Sequence, residues 1–195
     1  MSYKLIYTGT QVDDSVGGFH AEILHDDINF EGLALGTGNS APDLINFYGQ
    51  GNIVGRSFDG NSTLEQLFGG GELIHSYKEN GDVYFHVHWM PSTASTGVVK
   101  WFLEYSWYNM ESSPEQPTVN TISVLDEAGS VAWFPHVVAF PIISGQGKKI
   151  GSHFRFRFYR NPSDAQDTYL DDAALDSVGL HVPINSNGSR QIFIK

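Results

Sequence analysis

The feature that most constrains this chain is the period-two alternation of apolar and polar residues, because successive side chains on a strand point to opposite faces. Between positions 82 and 90, Val83, Phe85, Val87 and Trp89 share one face, and Tyr84, His86, His88 and Met90 share the other. From 100 to 110, Trp101, Leu103, Tyr105 and Trp107 alternate with Phe102, Glu104, Ser106 and Tyr108. From 153 to 160, Phe154, Phe156 and Phe158 alternate with His153, Arg155, Arg157 and Tyr159. That last pattern predicts a half-exposed strand, aromatics inward and guanidinium groups in water.

Further strands are predicted over 3–8, 20–24, 28–35, 119–125, 131–143, 178–184 and 191–194. Pro135 and Pro141 interrupt the apolar stretch 131–143, which predicts a bend or a sheet edge there. About ten short strands joined by glycine-rich turns predict an all-β fold, a β-sandwich of jelly-roll type. Helix is scarce. Ser62-Thr63-Leu64-Glu65 reads as a capping box before Leu64, Leu67 and Phe68 at helical spacing, with Gly69-Gly70-Gly71 as the stop. A second short turn is expected after Pro162-Ser163, so the sandwich carries one or two short helices. A single domain spans 1–195, with 1–18 read as a candidate N-terminal arm and the Gly-, Asn- and Ser-rich stretch 36–62 as a long loop or arm.

Composition then narrows the partners. With 22 acidic and 11 basic side chains the formal charge is −11, and the basic residues are scattered. Phosphate binding needs clustered Lys and Arg, so nucleic acid is not expected as a partner. The negative charge also disfavours anionic membrane surfaces, and no apolar run approaches the roughly 20 residues of a membrane helix. The N-terminus lacks the apolar core of a secretion signal, which predicts synthesis in a cytoplasm. Without cysteine there are no disulfides, no thiolate catalysis and no Cys-ligated zinc.

The strongest candidates for chemistry are histidines. His86 and His88, at i and i+2 on a strand, point the same way with Cα atoms about 6.6 Å apart, and such a pair can converge on a metal ion. A cupin-like metalloenzyme uses a pair of this kind, but adds a carboxylate about four residues on; here Trp89-Met90-Pro91-Ser92 follows, with no acid before Glu104. The alternative is that the two rings bond across the sheet or line a subunit contact. His181, between Leu180 and Val182, would be the third ligand if its strand is a sheet neighbour, with His75 a weaker option. Asp164, Asp167, Asp171, Asp172 and Asp176 offer oxygens for calcium but lack the spacing of a dedicated loop, and read rather as a solvated acidic loop. No serine lies in a G-x-S-x-G elbow, and no glycine run is followed by the Gly-Lys-[Ser/Thr] of a phosphate loop. No catalytic set emerges, and no cofactor is called for beyond a structural metal ion at the histidines. The aromatic strand faces read as sandwich core, with sugar stacking as the alternative.

Three stretches taken together resemble a known family. They are His75-Ser76-Tyr77-Lys78-Glu79-Asn80-Gly81-Asp82-Val83-Tyr84-Phe85-His86-Val87-His88-Trp89, then Gly97-Val98-Val99-Lys100-Trp101-Phe102-Leu103-Glu104-Tyr105-Ser106-Trp107, then Tyr159-Arg160-Asn161-Pro162 through Asp167-Thr168-Tyr169 and His181 to Gly188-Ser189-Arg190. In these the chain resembles virion structural proteins of tailed bacteriophages and prophages; residues 1–70 match only loosely. The resemblance implies a noncatalytic role in the virion, on the head as a capsid decoration (cement) protein, or at the neck or tail. It implies the major capsid protein or other virion proteins as partners, and a homo-oligomer with a trimer favoured. It brings no catalytic residues. A tail or neck module binding a receptor or glycan is the further alternative, beside the cupin-like enzyme on His86, His88 and His181.

Overall fold

The computed structural model describes residues 23–49, 51–60, 64–111 and 117–185. The expected strands at 3–8 and 191–194, the arm at 1–18, and Ser62 and Thr63 lie outside the described residues. Among those described, eleven strands follow in order: β1 Leu24–Glu31, β2 Gly36–Thr37, β3 Asp43–Asn46, β4 Val54–Phe58, β5 Glu65–Glu72, β6 Tyr84–Pro91, β7 Val98–Tyr108, β8 Asn120–Glu127, β9 His136–Ala139, β10 His153–Arg160 and β11 Ala173–Ile184. Short 3-10 turns occupy Gly32–Ala34 and Phe47–Gly49. No helix among the described residues is long and apolar enough to cross a membrane.

The strands form two antiparallel sheets, which makes the molecule the expected β-sandwich. One sheet runs β3-β4-β11-β6-β9, with β1 also paired to β11; the other runs β2-β5-β10-β7-β8. The alternating aromatics do what their spacing predicts. Phe85, Val87 and Trp89 of β6 face Trp101 and Leu103 of β7 and Phe154, Phe156 and Phe158 of β10, all buried in one core. Phe85 meets Phe156 edge-on at 5.1 Å between ring centroids, and Trp101 stacks on Phe158 at 5.0 Å. Burying each such ring stabilises the fold by about 1.5–3 kcal/mol. The proline-interrupted stretch does end up at an edge, as the short strand β9.

Two expectations fail. The helix expected from Ser62 is a strand: Glu65 to Glu72 pair with Arg160 to His153 of β10. Two of the three glycines read as a helix stop are instead required by close contacts within the sheet: Gly70, at φ 147°, lies against the Phe154 carbonyl, and Gly69 lies under a ring. A Cβ at Gly69 would come within 2.4 Å of the Phe156 ring. The stretch 36–62, expected as loop or arm, carries β2, β3 and β4, and β4 pairs with the central strand β11.

Arg160 sits apart from the other arginines of β10. Its neighbours Arg155 and Arg157 face water as expected, with Arg157 paired to Glu104 at 3.0 Å. Arg160, in phase with the three buried phenylalanines, is fully buried. Its Nε donates to Asp167 Oδ2 at 2.9 Å, Nη1 to the carbonyls of Phe58 at 3.1 Å and Asp171 at 2.9 Å, and Nη2 to Asp167 Oδ1 at 2.8 Å and to the Tyr169 carbonyl. All five donors of the guanidinium are thereby used. The aspartates between 164 and 172 are therefore not a solvated loop. Asp167 also accepts from the Lys100 amide at 3.0 Å, Asp164 pairs with the Lys100 ammonium at 2.8 Å, and Asp171 accepts from the Thr93 hydroxyl at 2.7 Å.

Candidate functional site

The outer face of the six-stranded sheet carries the histidines. On β6 the residues out of phase with the core are Tyr84, His86, His88 and Met90. On β11 a bulge between Leu175 and Ser177 resets the phase, so that Ser177, Gly179 and His181 face outward. Above the bulge β11 pairs with β4, and beyond it with β1. The register sets Asp27 of β1 opposite His181, and Gly179 opposite both Asn29 and His86.

This brings His86 and His181 together, with ring centroids 4.5 Å apart, and adds a residue the sequence reading missed, Asp27. Asp27 Oδ2 lies 3.7 Å from His86 Nε2 and 3.8 Å from His181 Nε2. One ligand atom from each of the three lies within 4.8 Å of the others. His88 stays outside this trio. Its ring lies 4.9 Å from that of His86, and it lines a neighbouring cleft. His75 is remote, beside Glu72 at 3.6 Å. The cupin-like set of His86, His88 and His181 is thus replaced by Asp27, His86 and His181. The carboxylate comes from another strand, not from four residues further along.

His86 is the fixed member, only 4 % exposed. It lies on Gly179, where a Cβ would come within 2.3 Å of its Cε1 and 2.8 Å of an Asp27 oxygen. Burial pushes its pKa down to about 4, against the pull of the Asp27 carboxylate upward, and His181 and His88 push the same way as burial. The imidazole is therefore neutral near pH 7. Its Nδ1 is buried as well and makes no hydrogen bond of ordinary geometry. Asp27 and His181 are the adjustable members, with side chains 40 % and 42 % exposed.

Beside this trio a cleft of about 240 Å³ is lined by Tyr48, His88, Trp89, Met90, Pro135, His136 and Asp176. Its rim is aromatic. Tyr48 and Trp133 pair at 6.0 Å, over a small outer cluster of Phe47, Met90 and Ala174. Both rim residues have φ of 61°, a left-handed backbone rare for bulky side chains. Trp133 is held there by donating its amide to the Pro91 carbonyl at 2.7 Å. Tyr48 of the cleft, and Phe134 and Val137, which flank its lining residues Pro135 and His136 in sequence, are each more than half exposed. Tyr48 lies among Asn46, Gly49 and Gly51, so a turn there had a local signal, whereas Trp133 has no glycine or asparagine within three residues.

No protein-family model matches the chain, and no curated protein does. Several solved structures are similar in shape. The CBM36-1 domain of a multidomain xylanase from the hindgut metagenome of Trinervitermes trinervoides is 10% identical over 84% of this chain and 100% of that one, with a TM-score of 0.45. A carbohydrate-binding module CBM36 in complex with calcium and xylotriose is 12% identical over 78% of this chain and 98% of that one, at 0.41. A chain of infectious bursal disease virus, Gx strain, is 7% identical over 93% of this chain and 37% of that one, at 0.41.

Proposed function

We propose that this chain is a noncatalytic virion structural protein of the capsid-decorating class, attached through the outer face of its six-stranded sheet. The observation that carries the reading is the set of exposed apolar side chains in the cleft and next to its lining residues in sequence. Tyr48, Phe134 and Val137 expose more than half of their surface on a chain of net charge −11. Clustered exposed apolar side chains with a polar surround mark protein contact surfaces. The resemblance of the sequence to bacteriophage virion proteins supplies the partner class, the major capsid protein. Repetition on a symmetric shell lets a modest contact of this size add up by avidity.

The test is cosedimentation with heads assembled from the major capsid protein of the same genome. Retention at a fixed ratio, lost in a Tyr48→Ser, Phe134→Ser double variant, supports the reading; protein that stays in the supernatant sinks it. Both positions are exposed, so the double variant keeps its fold.

A second reading is a glycan-binding module, favoured by the Tyr48–Trp133 pair beside a cleft that also holds His88 and Asp176. Sugar rings stack on aromatic faces while their hydroxyls bond nearby polar groups. Retardation by immobilised soluble polysaccharides, without retention on heads, selects this reading over the first.

A further inference from the structure

We propose that Asp27, His86 and His181 form a binding site for a divalent transition-metal ion of the zinc class, joining β1, β11 and β6. The proposal is independent of the virion reading and of the aromatic cleft. It stands first on geometry. Zinc bound at about 2.0–2.1 Å in tetrahedral geometry places its ligand atoms about 3.4 Å apart. The two carboxylate-to-imidazole separations here are 3.7 and 3.8 Å, too long for hydrogen bonds but close to a ligand spacing. Small rotations of Asp27 and His181 close the remainder, because both side chains are half in solvent, while His86 is held still by burial on Gly179.

The donor set decides the class of ion. Two imidazole nitrogens and one carboxylate oxygen suit zinc and its transition-metal neighbours, whereas calcium and magnesium take oxygen ligands. The exposed side of the trio leaves room for water as a fourth ligand. The absent side chain at position 179 is a further sign, since even one methyl group there would strike both His86 and Asp27.

A rival cluster provides the control. His75 Nε2 and His153 Nε2 approach the Glu72 carboxylate at 3.6 and 4.0 Å on the other sheet. The experiment uses the full chain without an affinity tag, stripped with chelator and titrated with Zn²⁺ and, separately, Ca²⁺ by calorimetry, with bound metal counted after dialysis. One Zn²⁺ per chain is expected, with no heat from Ca²⁺. Asp27→Asn and His181→Ala should each weaken Zn²⁺ by about tenfold or more, since even outer-shell losses cost that much. His153→Ala should leave it unchanged. No binding at about a hundredfold excess of metal, unchanged affinity in either Asp27→Asn or His181→Ala, or loss in His153→Ala overturns the proposal. A second readout needs no variant: at one equivalent of Zn²⁺ the imidazole resonances of two histidines should move together. Movement of none, or of most of the eight, overturns it as well.

Discussion

Two buried polar groups, Arg160 and His86, show opposite ways of placing a polar side chain in a sandwich. Arg160 has every donor occupied, by a bidentate carboxylate and three carbonyls from β4 and the turn after β10. His86 has one buried nitrogen that makes no hydrogen bond of ordinary geometry and another that faces a carboxylate at 3.7 Å. The first arrangement is complete within the chain and ties a loop to the core. The second is looser, and two of its three members, Asp27 and His181, are side chains 40 % and 42 % exposed. Satisfied buried charge is architecture; unsatisfied buried polarity beside exposed partners points outward to a ligand.

The comparison breaks most readily at Arg160. Arg160→Met leaves the buried Asp167 carboxylate without its counter-charge, held by the Lys100 amide, and removes a donor from each of three carbonyls, which should cost about 3–5 kcal/mol in urea unfolding. A cost near zero would mean that the corner is not what holds the loop.

The next largest effect is in the pH profile. His86 titrates at about 4 in the folded chain and 6.5 when unfolded, so between those values the unfolded chain holds the extra proton and stability climbs with pH. Glu65, which lies opposite Arg160 in the register, runs the other way. Burial raises its pKa from 4.5 to about 7, so between those values the folded chain holds the proton and stability falls as pH rises. Burial moves Asp172 in the same direction as Glu65. In the unaltered protein the two regions offset each other through mild acid. Glu65→Gln should uncover the histidine's slope, up to about 1.4 kcal/mol per pH unit between pH 4 and 6.5. A flat unfolding profile in that variant would place His86 in contact with water.

Gly179→Ala attacks the other region. A Cβ that close to the ring forces His86 or the backbone to shift, at about 1–3 kcal/mol, and should abolish ordered Zn²⁺ binding. The smallest effect is expected for His181→Gln in metal-free protein, within about 0.5 kcal/mol by thermal melting, because its side chain is 42 % exposed. Together these variants separate the residue that is structural from those that wait for a ligand.

How much of this was legible from the sequence depends on range. The alternation in β6, β7 and β10 names the core rings from the sequence alone, because strand parity is a local rule. That same parity places Arg160 with Phe154, Phe156 and Phe158, so its inward face is legible locally, while the partners that make its burial possible, Asp167 and the Phe58 carbonyl, come from tertiary packing. The capping-box pattern from Ser62 misleads because a glycine run is also what a strand carries where its neighbour crowds it: Gly69 lies under the Phe156 ring and Gly70 against the Phe154 carbonyl. Asp27 was out of reach for a different reason. Its alternation with Ile28 and Phe30 gives its face, but only the pairing of β1 with β11 brings it to the histidines, and strand order is a property of the whole chain. His88 shows the converse: shared parity with His86 put it on the right face, yet not in the cluster.

The pairing of β1 with β11 has a mechanical consequence. Leu24 opposes Ile184, so among the described strands the first enters the sheet where the last one leaves it. A pull on those two ends is directed across the pair and not along it, and therefore opens the hydrogen bonds one after another like a zip. Asp27 and His181 form the fourth pair from that open end. An ion held between them and His86 would be a rivet that the tear reaches after only three pairs, making the resistance of this seam to load depend on metal.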